Sequence, residues 1–455
     1  MKMKKFVKGF ISIGMTIGMT LGPIGLIFAQ DITAATLGNP KMVSINELGI
    51  QAEKGSIKPS ISADGNLVVF ESESSNLVKG DNNNATDIFV KNISTDSIMI
   101  VSTSKKGSIA KGFSSNAVIS SNGRYVAFES TAANLVSNDT NGTYSDIFLK
   151  DLTTGDIQLI SKTSSGNQVL AASSLPSIST DGLYVTFQAN GSLIEGIETM
   201  GNHLYIYNCL TGATEMVDVS ETGEIANLAG NYRPNISGDG RYVIFESEST
   251  NLVPNDNNYS TDIFVRDCLE NKTVRVNISS EGAPSTASCY SPSISADGRY
   301  VEFQSIANNL VADNATDYNT DIFIHDRDTD GNGVFDETNR ISTIKASVST
   351  TGQIGSSGSV DGYISANGQY VVFSSSASNL VDSDTNSKTD IFVHNISNGV
   401  TTRVNLSVYN VEANNHSYYP VISADGQCVA FASTASNLTD SDTNGDLADI
   451  FVYQR

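Results

Sequence analysis

The sequence predicts an all-β chain: a seven-bladed β-propeller of four-stranded antiparallel blades, its ring closed by an N-terminal strand that completes the last blade. Three observations predict it. A phrase Ser-x-(Asp/Asn)-Gly, followed by an aromatic-rich stretch, recurs seven times, with its glycine at Gly65, Gly123, Gly182, Gly240, Gly298, Gly368 and Gly426. The intervals are 58, 59, 58, 58, 70 and 58 residues, the regularity of one supersecondary unit copied around an axis or along a solenoid. The two ends of the chain then decide between ring and solenoid. The last repeat stops at Asp449-Ile450-Phe451-Val452, after its third strand, while Val43 stands 22 residues before Gly65, as Val101 does before Gly123 and Val404 before Gly426. The N-terminal segment therefore supplies the missing fourth strand and removes an exposed sheet edge.

Within the first repeat, residues 59–62 read as a short strand that begins at a proline, and 63–66 as a tight Asp-Gly turn. Residues 67–72 form the second strand. An Asx-rich loop leads to the third at Asp87-Ile88-Phe89-Val90, and a polar turn leads to the fourth at 98–102. No helical period appears anywhere, and four short strands per repeat make a propeller blade. Blades start near 59, 117, 176, 234, 292, 362 and 420, strand 41–46 closes blade seven, and the propeller spans 38–455.

Residues 1–29 read as a signal peptide: Lys2, Lys4, Lys5 and Lys8 precede an apolar stretch that ends at Ile27-Phe28-Ala29, with a second cleavage site after Ala35. The mature chain is then expected to be exported and not inserted in a membrane. Losing four lysines takes the formal charge from −22 to −26, which argues against nucleic acid and anionic membrane as partners because both need a basic stripe. Four cysteines, Cys209, Cys268, Cys289 and Cys428, are too few to staple the fold and show no metal-ligand spacing. Cys209 and Cys268 follow equivalent strands of neighbouring repeats, the one pairing the repeat suggests.

Ile294-Ser295-Ala296-Asp297-Gly298-Arg299-Tyr300-Val301-Glu302-Phe303, followed by Asp321-Ile322-Phe323, resembles the TolB-type, WD-like propeller repeat of exported bacterial proteins. The resemblance runs over essentially all of 38–455. It implies the propeller fold, while that family hosts scaffolds, binding proteins and accessory domains of hydrolases. Blade three departs from the phrase, reading Leu204-Tyr205-Ile206-Tyr207 where the others read Asp-Ile-Phe.

The long interval contains a twelve-residue insertion, 326–337, with Asp326, Asp328 and Asp330 at positions 1, 3 and 5, Gly331 at 6 and Glu337 at 12. That spacing matches a hard-cation loop, in which oxygens from alternate residues converge on Ca²⁺ while the glycine turns the chain. Gly333 departs from the pattern and no flanking helices are evident, so the loop resembles free-standing calcium loops. Asp326, Asp328, Asp330 and Glu337 are expected as side-chain ligands, Asn332 through its carbonyl, and Asp336 as an alternative donor to a structural calcium ion.

The acidic loops at Asp81, Asp139, Asp256, Asp384 and Asp442, with Asp313 offset in blade five, read as Asx-bonded turns rather than cation sites. The repeated Asp87, Asp146, Asp262, Asp321, Asp390 and Asp449 read as structural, since catalysis needs a residue once. His325 and His394 share a strand position with Lys91, Lys150 and Arg266 and read as exposed; His203 and His416 read as loop bystanders. No nucleophile elbow, zinc motif or phosphate loop is present. Loops after strands two and four share one face, near Tyr232, Tyr290, Tyr418 and Tyr419, and that loop-rich face is the expected binding surface. The sequence thus predicts a secreted, monomeric, calcium-stabilised module that binds an extracellular protein or polysaccharide, with no catalytic residue assigned. The competing expectation is a polysaccharide lyase or glycoside hydrolase acting at the channel mouth.

Overall fold

A computed structural model describes residues 38–228, 230–312 and 318–455; the signal segment and Asp313 lie outside them. Seven four-stranded antiparallel sheets stand as blades around a central channel. Blade one is Ser56–Ile61, Leu67–Ser72, Asp87–Asn92 and Ile98–Ile100, and the later blades repeat it. Blade seven takes Ser417–Ile422, Cys428–Ser433 and Asp449–Gln454 from the C-terminal end and Pro40–Met42 from the N-terminal end, with Met42 opposite Phe451. Among the described residues no helix is long and apolar enough to cross a membrane.

Each blade has its own aromatic pair. The phenylalanine of strand two stacks on that of strand three, as Phe70 on Phe89 at 5.8 Å and Phe303 on Phe323 at 5.8 Å, and both rings are fully buried. Blade three keeps the pair as Phe187 on Tyr205 at 6.1 Å, so its third strand, Asn202–Asn208, forms without the Asp-Ile-Phe phrase. Burial of rings this size contributes roughly 2–3 kcal/mol each.

Neighbouring blades meet through the recurring glycine. Its φ is positive, +78° at Gly298, and a Cβ there would lie 2.3 Å from the ring of Tyr242 in the preceding blade. The same tyrosine-on-glycine contact joins Tyr125 to Gly182, Tyr184 to Gly240, Tyr300 to Gly368 and Tyr370 to Gly426. Leu67 on Gly123 and Cys428 on Gly65 replace it on either side of blade one.

The repeated aspartates pin strand three to the end of strand four. Each is buried and accepts a hydrogen bond from a serine or asparagine: Asp87 from Ser102 at 2.6 Å, Asp262 from Asn277 at 2.6 Å, Asp390 from Asn405 at 2.6 Å. At the ring closure Ser44 donates to Asp449 at 2.7 Å across the two ends of the chain. Blade three exchanges the partners: His203 stands where the aspartate would be and Asp218 faces its Nδ1 at 2.7 Å. His203 is therefore a buried strand residue and not a loop bystander. The acidic loops lean on the same pins. Gln51 bridges Asp442 and Asp449, Gln168 bridges Asp139 and Asp146, and Arg275 bridges Asp256 and Asp262.

His325 and His394 are also buried, as are Lys91, Lys150 and Arg266, against the expectation of exposure. A propeller covers both faces of each sheet, so alternation along a strand does not mark a solvent face. These side chains join blades. Lys150 Nζ donates to Thr103 O at 2.9 Å in the preceding blade, and His325 Nδ1 lies 2.9 Å from Thr343 Oγ1, whose hydroxyl donates to Ile278 O. All four cysteines are free thiols, so the Cys209–Cys268 pairing is absent.

Two measurements test this account. Gly298→Ala adds a clash to an unfavourable φ and should cost about 3 kcal/mol in urea unfolding, while Gly155→Ala, at φ +73° with open space around it, should cost about 1 kcal/mol. Equal costs would remove the ring contact as the reason for the glycine. The second concerns pH. Burial raises Asp87, Asp146, Asp256, Asp384 and Asp449 each to about 6 and lowers His325 and His394 to about 4. A raised acid holds its proton more tightly when folded, so its contribution falls as pH climbs from about 4 to about 6; a depressed histidine gives the opposite slope. Glu302, raised to about 8, adds to the same slope; these acids together outweigh two histidines, and the melting temperature should be about 2 °C or more higher at pH 5 than at pH 7.5. A curve that rises over that range would contradict the assignment.

Candidate functional site

The first strand of every blade faces the channel and carries a β-bulge. In blade one the register slips between Ile57 and Ser60, leaving Lys58 as the extra residue with φ of 49°. The equivalents are Asn116, Leu175, Arg233, Ser291, Asp361 and Tyr419, with φ between 48° and 54°. A left-handed conformation costs a non-glycine residue on the order of 1 kcal/mol, and glycine, asparagine or aspartate is the usual occupant. Only Asn116 and Asp361 conform. The seven residues are all different, although the blades around them are close copies.

The bulge also explains a difference in boundaries. The sequence reading starts the first strand at Pro59; the structure begins it at Ser56. Pro59, Pro176, Pro234, Pro292 and Pro420 directly follow the bulge residue on an edge strand, where the missing N–H costs nothing. The freed N–H of the bulge residue is taken by the preceding blade. Glu71 Oε1 accepts from Asn116 N at 2.6 Å, Glu129 from Leu175 N at 3.2 Å, Glu246 from Ser291 N at 3.4 Å and Gln304 from Asp361 N at 3.1 Å. Burial raises the carboxyls of Glu71 and Glu246, and each has a cation of the ring beside it, Lys58 at 3.4 Å and Arg233 at 3.6 Å.

These residues surround a cavity of about 660 Å³. Its far end, at the Asp-Gly turns, is drawn in by small residues joined backbone to backbone: Ala63 N to Ser121 O, Thr180 N to Gly238 O, Gly238 N to Ala296 O and Ala296 N to Ala366 O, at 2.9–3.0 Å. The ring of bulge residues lies toward the other end, where strand one enters from the loop-rich face. Tyr419 lines the cavity, while Tyr232 and Tyr290 stand beside it, opposite Glu246 and Gln304 and well exposed. His416 stacks on Tyr418 at 6.1 Å and accepts from Thr389 N at 3.0 Å. Sequence reading missed the bulge ring; the signal available was the residue before each strand-one proline, which differs in every copy.

The 326–337 insertion lies on the opposite face. Asp326 ends strand three and forms a two-point pair with Arg299, at 2.7 and 2.8 Å, as Asp151 does with Arg124 and Asp267 with Arg241 in other blades. Asp336 is held by Arg327 in the same way, at 2.9 and 2.6 Å. Asp328 accepts from the amides of Asn332 and Gly333, and the Asn332 side-chain amide lies 2.7 Å from Glu337 Oε2 and 3.4 Å from Asp330 Oδ2. Among the described residues no three acidic, histidine or cysteine side chains gather closely enough to hold a metal on their own.

No family model matches the chain, and no curated protein matches it by sequence. Solved structures do match in shape. An oligogalacturonate lyase in complex with manganese superposes with a TM-score of 0.51 at 12% identity, over 92% of this chain and 94% of that one. An acylaminoacyl peptidase from Pyrococcus horikoshii gives 0.51 at 10% identity, over 88% of this chain and 51% of that one. TolB from Acinetobacter baumannii aligns at 14% identity over 76% of this chain and 65% of that one, with a TM-score of 0.38. At such identities the two likenesses at 0.51 are ones of fold, and the fold is the β-propeller that the repeat implies.

Proposed function

We propose that this chain is a secreted, non-catalytic binding module that grips an extracellular protein or polymer at the channel mouth. The observation that carries the reading is the ring of seven unlike residues at seven equivalent, strained positions. A purely structural demand would select the same residue seven times, as it does for the glycines. Strain retained where the side chains face a cavity is the pattern of a recognition surface. The mouth has two cations, Lys58 and Arg233, against the carboxylates of Glu71, Glu129, Glu246 and Asp361. That balance favours a neutral or basic ligand over a polyanionic sugar.

The test is retention. The mature chain is incubated with extracellular protein extract and with neutral and acidic polysaccharides, and both bound material and released small products are measured. Wild type should retain a partner without product, and Arg233→Ala/Asp361→Ala/Tyr419→Ala should weaken retention at least tenfold with the fold intact. Product that accumulates with time would replace this reading with the lyase or glycosidase one.

A structural calcium ion belongs to the same proposal. Asp328, Asp330, Asn332 and Glu337 supply oxygens from one turn, whereas Asp326 and Asp336 would have to be shared with Arg299 and Arg327. Bound there, calcium would hold the turn between strands three and four of blade five. Millimolar calcium should raise the melting temperature of wild type and leave Asp328→Ala unmoved; identical responses would remove the site.

A further inference from the structure

Blade five departs from its siblings at one buried position, and blade six departs beside it. The residue before the strand-two phenylalanine is Val69, Ala127, Thr186, Ile244, Val372 or Ala430 in six blades and Glu302 in blade five, where it is fully buried. The residue after the bulge is proline in five blades and Ala117 in a sixth, but Gly362 in blade six. The two departures fit each other: a Cβ on Gly362 would lie 1.9 Å from Glu302 Oε1. The carboxyl fills the room that the missing side chain leaves, against a residue that lines the channel.

Its bonding is half complete. Ser293 Oγ donates to Oε2 at 2.8 Å, while Oε1 is buried without a partner. The titratable groups that bear on it are Asp361 and Tyr363 of blade six, neither of them a cation. A buried carboxyl with an open acceptor and no counter-charge is costly, and burial pushes this one up to about 8, so it stands protonated at neutral pH. The fold does not require it, since the next seam, between blades six and seven, is built with Val372 and Pro420 at the corresponding places.

We infer that the seam between blades five and six is a subsite for a primary amine: a ligand ammonium over Gly362, with Tyr363 and Asp361 beside it and Glu302 as its counter-charge. The inference rests on the channel being the ligand site and names the chemistry taken there. Tyr363 and Asp361 line the cavity at this point; Arg233, paired with Glu246 at 3.6 Å, also bears electrostatically on Asp361. On binding, the carboxyl O–H bond breaks, its proton passes to water or buffer and the electron pair stays on the carboxylate that faces the ammonium; no other covalent bond changes. A lysine side chain of an extended protein segment carries such a group on a long, flexible stem.

The probe is hexa-L-lysine, with its Nε-acetylated form and hexa-L-glutamate as controls, titrated calorimetrically at pH 7 and physiological salt in two buffers of different ionisation enthalpy. Wild type should bind hexalysine saturably, at least tenfold more tightly than either control, with release of about one proton. Glu302→Gln keeps the shape of the protonated acid, and Glu302→Val/Gly362→Pro reproduces the Val372/Pro420 pair of the seam between blades six and seven. Both should fold, the double variant melting no lower than wild type, and both should lose at least tenfold in affinity and the proton release. Equal affinity in wild type and variants, or no saturable binding to wild type, would overturn the subsite. If hexalysine fails while the Arg233/Asp361/Tyr419 variant still loses the retained partner, only the amine subsite falls. If that variant keeps the partner, the channel reading falls with it.

Discussion

The contact on which the ring depends is a tyrosine ring laid over a glycine of the next blade. Seven sheets related by a fixed rotation close only if each interface repeats the same distance, and packed side chains hold such a distance poorly. A glycine Cα under a flat ring does so with almost no freedom, because no side chain can intervene. The recurring Ser-x-Asp-Gly phrase therefore serves two demands at once, a positive-φ turn and a bare surface for the neighbour. The contact changes on either side of blade one, where Cys428 and Leu67 replace tyrosine, next to blade seven, in which the chain's ends meet. There the Ser44–Asp449 hydrogen bond and the pairing of Pro40–Met42 with Asp449–Gln454 tie the circle directly.

The bulge follows from the same geometry. First strands crowd the axis, and an extra residue with positive φ bends each one along the channel wall. Its unpaired N–H would be an orphan in an isolated blade. The glutamate or glutamine of the preceding blade accepts it, so a local irregularity becomes a joint between blades. Once the backbone is held from behind, the side chain in front is free of structural duty. Lysine, leucine, serine and tyrosine can all stand at a position that local conformational preference would give to glycine or asparagine.

Much of this was legible in the sequence and some of it was not, for identifiable reasons. The period and the Asp/Asn-Gly turns, local signals repeated seven times, specify blade number and strand order, and the match between the chain's ends specifies closure. The bulge ring was hidden by the prolines behind it: Pro59 and its equivalents look like strand starts when they are interior residues of an edge strand. His325, His394, Lys91 and Lys150 looked exposed because alternation assigns one face of a strand to solvent, and here the next blade covers it. The cation-loop spacing at 326–337 was visible, but the arginines that engage Asp326 and Asp336 were not, since Arg299 lies in the preceding hairpin and Arg327 inside the loop itself. Spacing reports which residues share a turn, not which partners reach them first.

A symmetric scaffold with an asymmetric wall has a consequence for what it can recognise. Seven equal blades present a ligand with seven equal orientations, and a specific complex needs six of them penalised. The bulge ring breaks the symmetry at the mouth, and the buried tier behind it breaks it again. Of its seven members only Thr186 and Glu302 are polar, and each has a side-chain oxygen without a partner. Unsatisfied buried groups are costly, and a chain that repeats its blades so closely has the apolar alternative written elsewhere in its own sequence. Their position, immediately behind the channel wall, is the one at which the proposed ligand site would use them. The fold supplies the ring seven times over, and orientation is supplied by the few places where the copies disagree.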